Sequence, residues 1–159
     1  MTSEVPTGLG PLAGLRVIDL TDDLGRFGTK LLAEAGAHVV RAAGRGERGV
    51  AMADPDANER GGVLQWWYDA GKTLVPLDLD TEEGRGAYRA LAQRADLIVE
   101  AERPGRLAAI GLDHADLVDS NPRLTQVSIT PYGRTGPWSQ LESSDLVAGA
   151  LGGVLSITG

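Results

Sequence analysis

The sequence predicts an α/β domain whose mainly parallel sheet is covered by helices on both faces. Short apolar runs of strand length alternate with stretches in which apolar residues recur at helical spacing. This alternation continues along nearly the whole chain, as in folds built from strand–helix–strand units. The 159 residues show no obvious internal linker and suffice for one domain with a real core. We therefore expect a single domain over residues 1–159.

The first half of the chain begins with a predicted buried strand at residues 15–21, between a glycine and an acidic pair. A helix over residues 27–35 follows, with apolar side chains on one face. Gly36 is expected to close this helix as its C′ residue. Residues 38–42 form the second predicted strand. A long loop rich in Gly, Asp and Arg then continues to about residue 62 without a regular period.

The second half begins with a third apolar run at residues 73–79. Thr81 is a good N-cap for the next helix, and Glu82 and Glu83 suit the positive N-terminal end of that helix. The later predicted elements are a strand at 96–100, short helices around 106–110 and 114–119, a strand at 124–130, a turn at 133–137 and a final helix at 145–157. Strands and helices in this order indicate a Rossmann-like layer.

Composition and charge exclude several classes of function. The 15 basic and 22 acidic residues give a formal net charge of −7, which argues against a nucleic-acid partner. No apolar run approaches the roughly 18 residues of a membrane helix, and the N-terminus has no secretory signal pattern. The chain has no cysteine, which rules out disulfides, thiolate metal sites and a cysteine nucleophile. We therefore expect a cytoplasmic protein with no membrane partner.

A literal G-x-G-x-x-G pattern occupies Gly44 to Gly49. In a dinucleotide site such glycines let the backbone approach a pyrophosphate at a helix N-terminus. Here the pattern follows the second predicted strand instead of the first, and the residues after it do not open a helix. The sequence therefore favours a polar loop over a dinucleotide site.

Polar residues that carry chemistry elsewhere have simpler interpretations here. His38 and His114 are the only histidines, and neither has a spaced partner, so we expect structural roles and no metal site. Asp22 and Asp23 follow the first strand, where α/β sheets place ligands. They could bind a metal or act as acid and base, but capping of the following helix is the favoured interpretation.

Two further groups leave the function open. The aromatic run at residues 66–68 could stack on an adenine ring, line a partner interface or pack in the core. Ser143, Ser144 and Asp145 lack the strand-and-elbow context of an acyl-transfer nucleophile. Residue patterns alone therefore do not decide what the protein does.

Several segments together resemble the class III CoA-transferases, the family of formyl-CoA transferase, carnitine CoA-transferase and α-methylacyl-CoA racemase. They occur in family order over nearly the whole chain. These segments are residues 11–21, 31–40, 77–85 and 95–100, the motifs Arg103-Pro-Gly105, Asn121-Pro-Arg-Leu124 and Gly133-Arg-Thr-Gly-Pro137, and residues 144–148 and 156–159.

The resemblance implies the incomplete large domain of the CoA-transferase III fold, from enzymes that form interlocked homodimers. Such enzymes transfer CoA between carboxylic acids through intermediates on an aspartate. That aspartate is expected beyond residues 156–159, so no catalytic residue is assigned and the isolated chain is expected to be inactive. Asp145 matches a structural position, and Ser144 stands where the racemase branch has a histidine.

The resemblance also implies CoA or acyl-CoA as a substrate, with no covalently bound cofactor. The residues assigned to contact it are Arg41, Arg45, Lys72, Leu77 and Leu79. The simpler alternative for the three cations is that they are ordinary solvated surface residues.

Other coenzyme positions depart from the family pattern. Asp80 stands where the family often has Lys, and Ala101-Glu102 stands where it commonly has Asn-Phe. Because charge-assisted contacts to phosphate are the strong ones, these changes are expected to weaken coenzyme binding.

Two hypotheses therefore lead. The first is the N-terminal domain of a CoA-transferase, which associates as a homo-oligomer or with a C-terminal remainder. The alternative is a non-catalytic assembly or regulatory module that retains the fold. A dinucleotide-binding oxidoreductase domain, resting on residues 44–49, is a weaker third.

Overall fold

The computed structural model describes residues 9–43 and 60–158. Within these ranges the five predicted strands are present. The strands are β1 (Arg16–Leu20), β2 (His38–Ala43), β3 (Thr73–Pro76), β4 (Leu97–Glu100) and β5 (Thr125–Ser128). They form one sheet in the order β3-β2-β1-β4-β5, and each neighbouring pair is parallel. This strand order is that of a Rossmann-like sheet, which confirms the predicted fold class.

Seven helices connect or follow the strands of the described ranges. The helices are α1 (Arg26–Glu34), α2 (Arg60–Asp69), α3 (Glu82–Ala92), α4 (Arg106–Ala109), α5 (His114–Leu117), α6 (Asp145–Leu151) and α7 (Val154–Thr158). Helix α2 was not predicted, since the sequence placed a loop up to about residue 62. The single helix predicted at residues 145–157 is wrong, because Gly153 has a φ of +78° and separates α6 from α7.

Adjacent residues of the central strand β1 contribute to two hydrophobic cores on opposite faces of the sheet. Val17 packs in a cluster with Val39 and partly buried side chains of α1. Ile18 packs in a second cluster, which includes Tyr88 of α3 and Leu107 of α4. Side chains alternate between the two faces of a strand, so consecutive apolar residues require cover on both sides. The prediction of helices on both faces is therefore confirmed.

The start of α3 matches its prediction. Thr81 has extended backbone angles, and its Oγ1 accepts a hydrogen bond from the Gly84 N–H at 3.1 Å. Gly84 permits this turn because a Cβ there would lie 1.8 Å from the Asp78 carbonyl oxygen. The cap therefore depends on a close backbone approach that only glycine tolerates.

No helix in the described part of the chain is long and apolar enough to cross a membrane. The same residues hold no group of three or more His, Asp or Glu side chains arranged to bind a metal.

Candidate functional site

A cleft of about 240 Å³ opens at the carboxyl ends of β1, β4 and β5. It is lined by Asp22, Leu24, and residues 101–104, 129–131 and 139–143. Strands β2 and β3 lie in turn on one side of β1, whereas β4 and β5 lie in turn on its other side. The cleft therefore lies where the strand order reverses, the position at which parallel α/β sheets bind ligands.

The cations at and beside the cleft already have carboxylate partners. Arg103 pairs with Glu142, and both side chains are mostly exposed. Arg106, on the adjoining helix α4, lies 2.8 Å from Glu102 and 3.2 Å from Asp80. Exposed ion pairs of this kind contribute little stability and exchange partners readily. An anion entering the cleft would therefore compete with these carboxylates for the two guanidinium groups.

Beneath this edge lies a second layer of charge, which we term the buried ionic cluster: Asp19, Thr29, Arg41, Asp69 and Lys72. The Lys72 ammonium donates to Asp19 Oδ2 at 2.8 Å and to Thr29 Oγ1 at 2.8 Å. The side chains of Lys72 and Asp19 have no exposed surface. Charges so fully removed from water persist in proteins only when they are paired and hydrogen-bonded.

Arg41 joins the cluster from β2. Its Nη1 donates to the Thr21 carbonyl at 2.8 Å and lies 4.0 Å from Asp19 Oδ2. Its Nε lies 3.4 Å from Asp69 Oδ1 at the end of α2. The guanidinium group therefore connects the end of β1 with α2.

The cluster shifts the protonation equilibria of its members. Burial alone would raise the pKa of Asp19, but the Lys72 ammonium and hydrogen bonds from Thr21 and Thr29 outweigh it and lower the pKa. Burial lowers the pKa of Lys72, although Asp19 partly opposes this effect. Each charge is thus stabilised by its partner rather than by water.

Comparison with known proteins identifies the family. The family model described as CoA-transferase family III matches residues 12–159. The chain belongs to CoA-transferase family III. It is 38% identical over 148 residues to the succinyl-CoA:(R)-benzylsuccinate CoA-transferase subunit BbsE of Thauera aromatica, covering 91% of this chain and 36% of that protein. It is 34% identical to the human succinyl-CoA:glutarate CoA-transferase, covering 94% of this chain and 34% of that protein.

Solved structures agree with this assignment. A hypothetical protein from Mycobacterium tuberculosis superposes with a TM-score of 0.79 at 31% identity, over 92% of this chain and 41% of that one. A CAIB/BAIF family protein from Brucella suis gives a TM-score of 0.79 at 31% identity, over 94% of this chain and 41% of that one. The CoA-transferase III chain described here therefore spans about two fifths of the length of these structures.

Four of the five predicted coenzyme contacts lie in the described residues, and none of these four lines the cleft. Arg41 and Lys72 lie in the buried ionic cluster, so the alternative that they are solvated surface residues is wrong for both. The side chains of Leu77 and Leu79 are buried in the core beside α3. Arg45 lies outside the described residues. The assignment of these five residues as coenzyme contacts stays a prediction.

Two other sequence candidates, Asp22 and His114, have partners within the fold. Asp22 Oδ1 accepts the Leu24 N–H at 2.9 Å and so shapes the turn before α1, whose N-cap position is Gly25. The ring Nε2 of His114 lies 3.0 Å from the Leu124 carbonyl oxygen. The pattern at residues 44–49 lies outside the described residues.

Trp66 and Trp67 of the aromatic run have different surroundings. Trp67 stacks on Phe27 with ring centroids 5.9 Å apart, and the Lys30 ammonium lies 4.6 Å from the Trp67 ring centroid. Trp66 is 82% exposed. Core packing therefore does not account for all three residues.

The sequence reasoning missed three members of the buried ionic cluster, Asp19, Thr29 and Asp69, of which Asp19 lies at the centre. Its signal was present, because a carboxylate inside an otherwise apolar buried strand is rare unless it is paired. Its partner Lys72 is 53 positions away along the chain, so no local pattern connects the two.

Proposed function

We propose that this chain is the N-terminal part of a CoA-transferase and that its cleft forms one side of the site for CoA or an acyl-CoA. The supporting observation is the position of the cleft. It lies at the strand-order reversal of a parallel sheet, in a chain whose family includes named CoA-transferases. CoA is a substrate in this proposal and is not covalently bound as a cofactor.

The proposed reaction moves CoA from an acyl-CoA to a carboxylic acid. We infer that the nucleophilic carboxylate belongs to polypeptide matching the rest of the relatives' length, so the isolated chain performs no transfer. The coverage of 34–41% of the relatives supports this division. Residues 1–159 then act as a single domain in a cytoplasmic protein.

Association with further polypeptide forms part of the proposal. No residue of α6 or α7 is buried, and Leu146 and Ile157 are 70% and 84% exposed. Apolar surface of this kind is typical of an interface. We therefore propose that a second copy of the chain or a C-terminal remainder covers these helices.

The segment after β3 is a second element of the proposed site. Leu77 and Leu79 anchor it in the core, and Asp80 at its end pairs with Arg106 beside the cleft. We therefore propose that the predicted contacts at Leu77 and Leu79 are made through their backbone. Arg45 is retained as a coenzyme cation, whereas Arg41 and Lys72 receive a different role below.

The proposal is tested by titrating the isotopically labelled chain with CoA at low ionic strength while following its backbone amide resonances. We expect saturable shifts at the amides of Leu24 and Glu102, which line the cleft. Phosphate-free pantetheine is the matched control and should shift them less, because it cannot compete for Arg103 and Arg106. Shifts confined to the opposite edge of the sheet, or none at millimolar CoA, would refute the site.

One observation favours the second candidate, a non-catalytic assembly or regulatory module. Glu142, Glu102 and Asp80 already neutralise the exposed cations at the cleft. If these pairs are permanent, the chain keeps the fold without coenzyme affinity. The same titration separates the two functions, since the module predicts no CoA-dependent shift even at low salt.

A further inference from the structure

The loop between β1 and α1, residues 21–25, carries Asp22 and Leu24 into the lining of the cleft. Two buried cations hold the backbone at its ends. Arg41 Nη1 donates to the Thr21 carbonyl at 2.8 Å, and Lys72 Nζ donates to the Arg26 carbonyl at 3.3 Å. Both cations come from other parts of the sheet, β2 and the turn before β3, so they fix the loop relative to the strands.

Lys72 has its full set of partners inside the protein. Its ammonium group has three protons, and three acceptors lie around it: Asp19 Oδ2, Thr29 Oγ1 and the Arg26 carbonyl. With its side chain fully enclosed, it has no surface from which to reach a ligand. The geometry is that of a structural clamp and not of an open anion site.

Stability alone does not account for a clamp built from charges. Replacing a buried ion pair with apolar groups of similar volume is often neutral or stabilising, whereas the charged pair specifies one arrangement of its neighbours. Here the neighbours are the two carbonyls that flank the loop. What the cluster specifies is therefore the path of the cleft-lining backbone.

The loop also fits closely against the far wall of the cleft. A Cβ built on Gly25 would lie 2.8 Å from Ile129 Cδ1 and 2.6 Å from Thr21 Cγ2. Ile129 follows β5 and itself lines the cleft. A shift of the loop by a fraction of an ångström would therefore change the shape of the cleft on both sides.

We propose that Arg41 and Lys72 are positioning residues, which set the shape of the coenzyme cleft by holding the carbonyls of Thr21 and Arg26 and do not touch the ligand. This inference rests on the proposed function, because it concerns the same cleft. It assigns two of the predicted contact residues an indirect role.

The test compares Lys72→Met with Lys30→Met. These are the only two lysines of the chain. Lys30 is also buried, and its ammonium pairs with Glu34 on the same helix and lies over the Trp67 ring; neither partner belongs to the loop. The first readout is amide hydrogen exchange at Leu24 and Gly25, whose N–H groups are bonded within the loop to Asp22. The second readout is the affinity for CoA.

We expect Lys72→Met to speed exchange at both loop amides about tenfold or more and to weaken CoA binding about tenfold, since a hydrogen bond from a charged donor is lost. Exchange at Ile18 in the centre of the sheet should increase by no more than the loss of global stability, measured by urea unfolding of the same variant, accounts for. Lys30→Met should leave both readouts at the native values. Equal effects of the two substitutions would overturn the inference.

Chemical rescue separates charge from side-chain size. The chain has no cysteine, so Lys72→Cys can be aminoethylated under denaturing conditions and refolded with an ammonium group at nearly the native position. Restored loop protection together with restored CoA affinity supports the clamp. If Lys72→Met does not fold, Arg41→Met tests the other end of the loop by the same two readouts.

The outcomes distinguish this inference from the function on which it rests. If the native chain binds no CoA, the proposed function fails, while loop exchange still reports on the clamp. If Lys72→Met loses CoA affinity with unchanged loop exchange, Lys72 contacts the ligand and the positioning role is wrong. If neither readout changes, the cluster has no influence on the cleft.

Discussion

Substitution of Asp19 by Asn probes the buried ionic cluster at its centre. The carboxylate accepts four hydrogen bonds: from the Thr21 N–H at 2.9 Å, the Thr21 hydroxyl at 2.6 Å, the Thr29 hydroxyl at 2.7 Å and the Lys72 ammonium at 2.8 Å. Asn has nearly the same shape but no charge, and one of its oxygens becomes an NH₂ donor. The substitution therefore changes electrostatics with little change in packing.

In either orientation, the NH₂ group of the substituted amide side chain would face two hydrogen-bond donors. With the oxygen kept toward Thr21, the NH₂ group faces the Lys72 ammonium; after a flip, it faces the Thr21 N–H. Lys72 also loses the carboxylate charge at 2.8 Å, and Arg41 loses a carboxylate charge at 4.0 Å. Removing one partner of a buried pair costs about 3–5 kcal/mol, a large part of the roughly 5–15 kcal/mol that stabilises a typical domain.

Urea unfolding followed by circular dichroism measures this loss, with the slope checked for two-state behaviour. The matched control is Asp96→Asn, which removes a carboxylate from the partly exposed pair with Arg16 and should cost about 1 kcal/mol or less. The double substitution Asp19→Asn with Lys72→Met should recover part of the lost stability. A cost below about 1 kcal/mol for Asp19→Asn, or no recovery in the double variant, would refute the assignment of Lys72 and Asp19 as a mutually dependent pair.

Three further predictions address other parts of the molecule. The pKa values of Asp19 and Asp96 are lowered in the folded state. The stability that they contribute is therefore complete above the ordinary carboxyl pKa near 3.9 and is lost as the pH falls through the folded-state values. Urea midpoints should fall on acidification, and a flat profile would contradict this. Gly84→Ala should destabilise the fold by about 2 kcal/mol or more, because the added Cβ would lie 1.8 Å from a backbone oxygen. The control Gly86→Ala, on the same helix with nothing within 4 Å of the added Cβ, should stabilise it by about 0.5–1 kcal/mol. Thermal unfolding of both variants tests this. Glu102→Gln should strengthen CoA binding by about twofold to fivefold at low salt, because it removes one of the carboxylates that pair with Arg106 beside the cleft. Calorimetric titration showing weaker binding would exclude that competition.

The strands were predictable because their physical signal is local. The central strands β1 and β4 are short apolar runs that are mostly buried, and β5 was predicted from the alternation of its residues. Helix α2 had no comparable signal. It begins Arg60-Gly-Gly, and glycine is a poor helix former, while its apolar residues do not recur on one face. Apolar spacing also continued across Gly152 and Gly153, which hid the break between α6 and α7.

The site was less predictable because its signal is not local. The sequence analysis named Asp22, which lines the cleft, but favoured capping for it, and it treated Lys72 as a surface cation or a coenzyme contact. Its burial follows from the parallel pairing of β2 with β3 and of β2 with β1, which brings the turn before β3 beneath α1. The position of Lys72 beneath α1 is therefore set by the assembled sheet and not by any local sequence pattern.

The two layers of charge suggest how an acidic chain of this family can serve a polyanionic substrate. The buried ionic cluster contains two acids, Asp19 and Asp69, and two cations, so it has no net charge. A substitution that keeps it neutral, such as Asp19→Asn with Lys72→Met, should act through loop shape and stability. The cations beside the cleft, Arg103 and Arg106, pair with exposed or partly exposed carboxylates. Salt weakens such exposed pairs and any phosphate contact that replaces them. Substitutions at the surface layer should therefore change the salt dependence of CoA binding, whereas the neutral double substitution in the buried layer should shift affinity equally at every salt concentration.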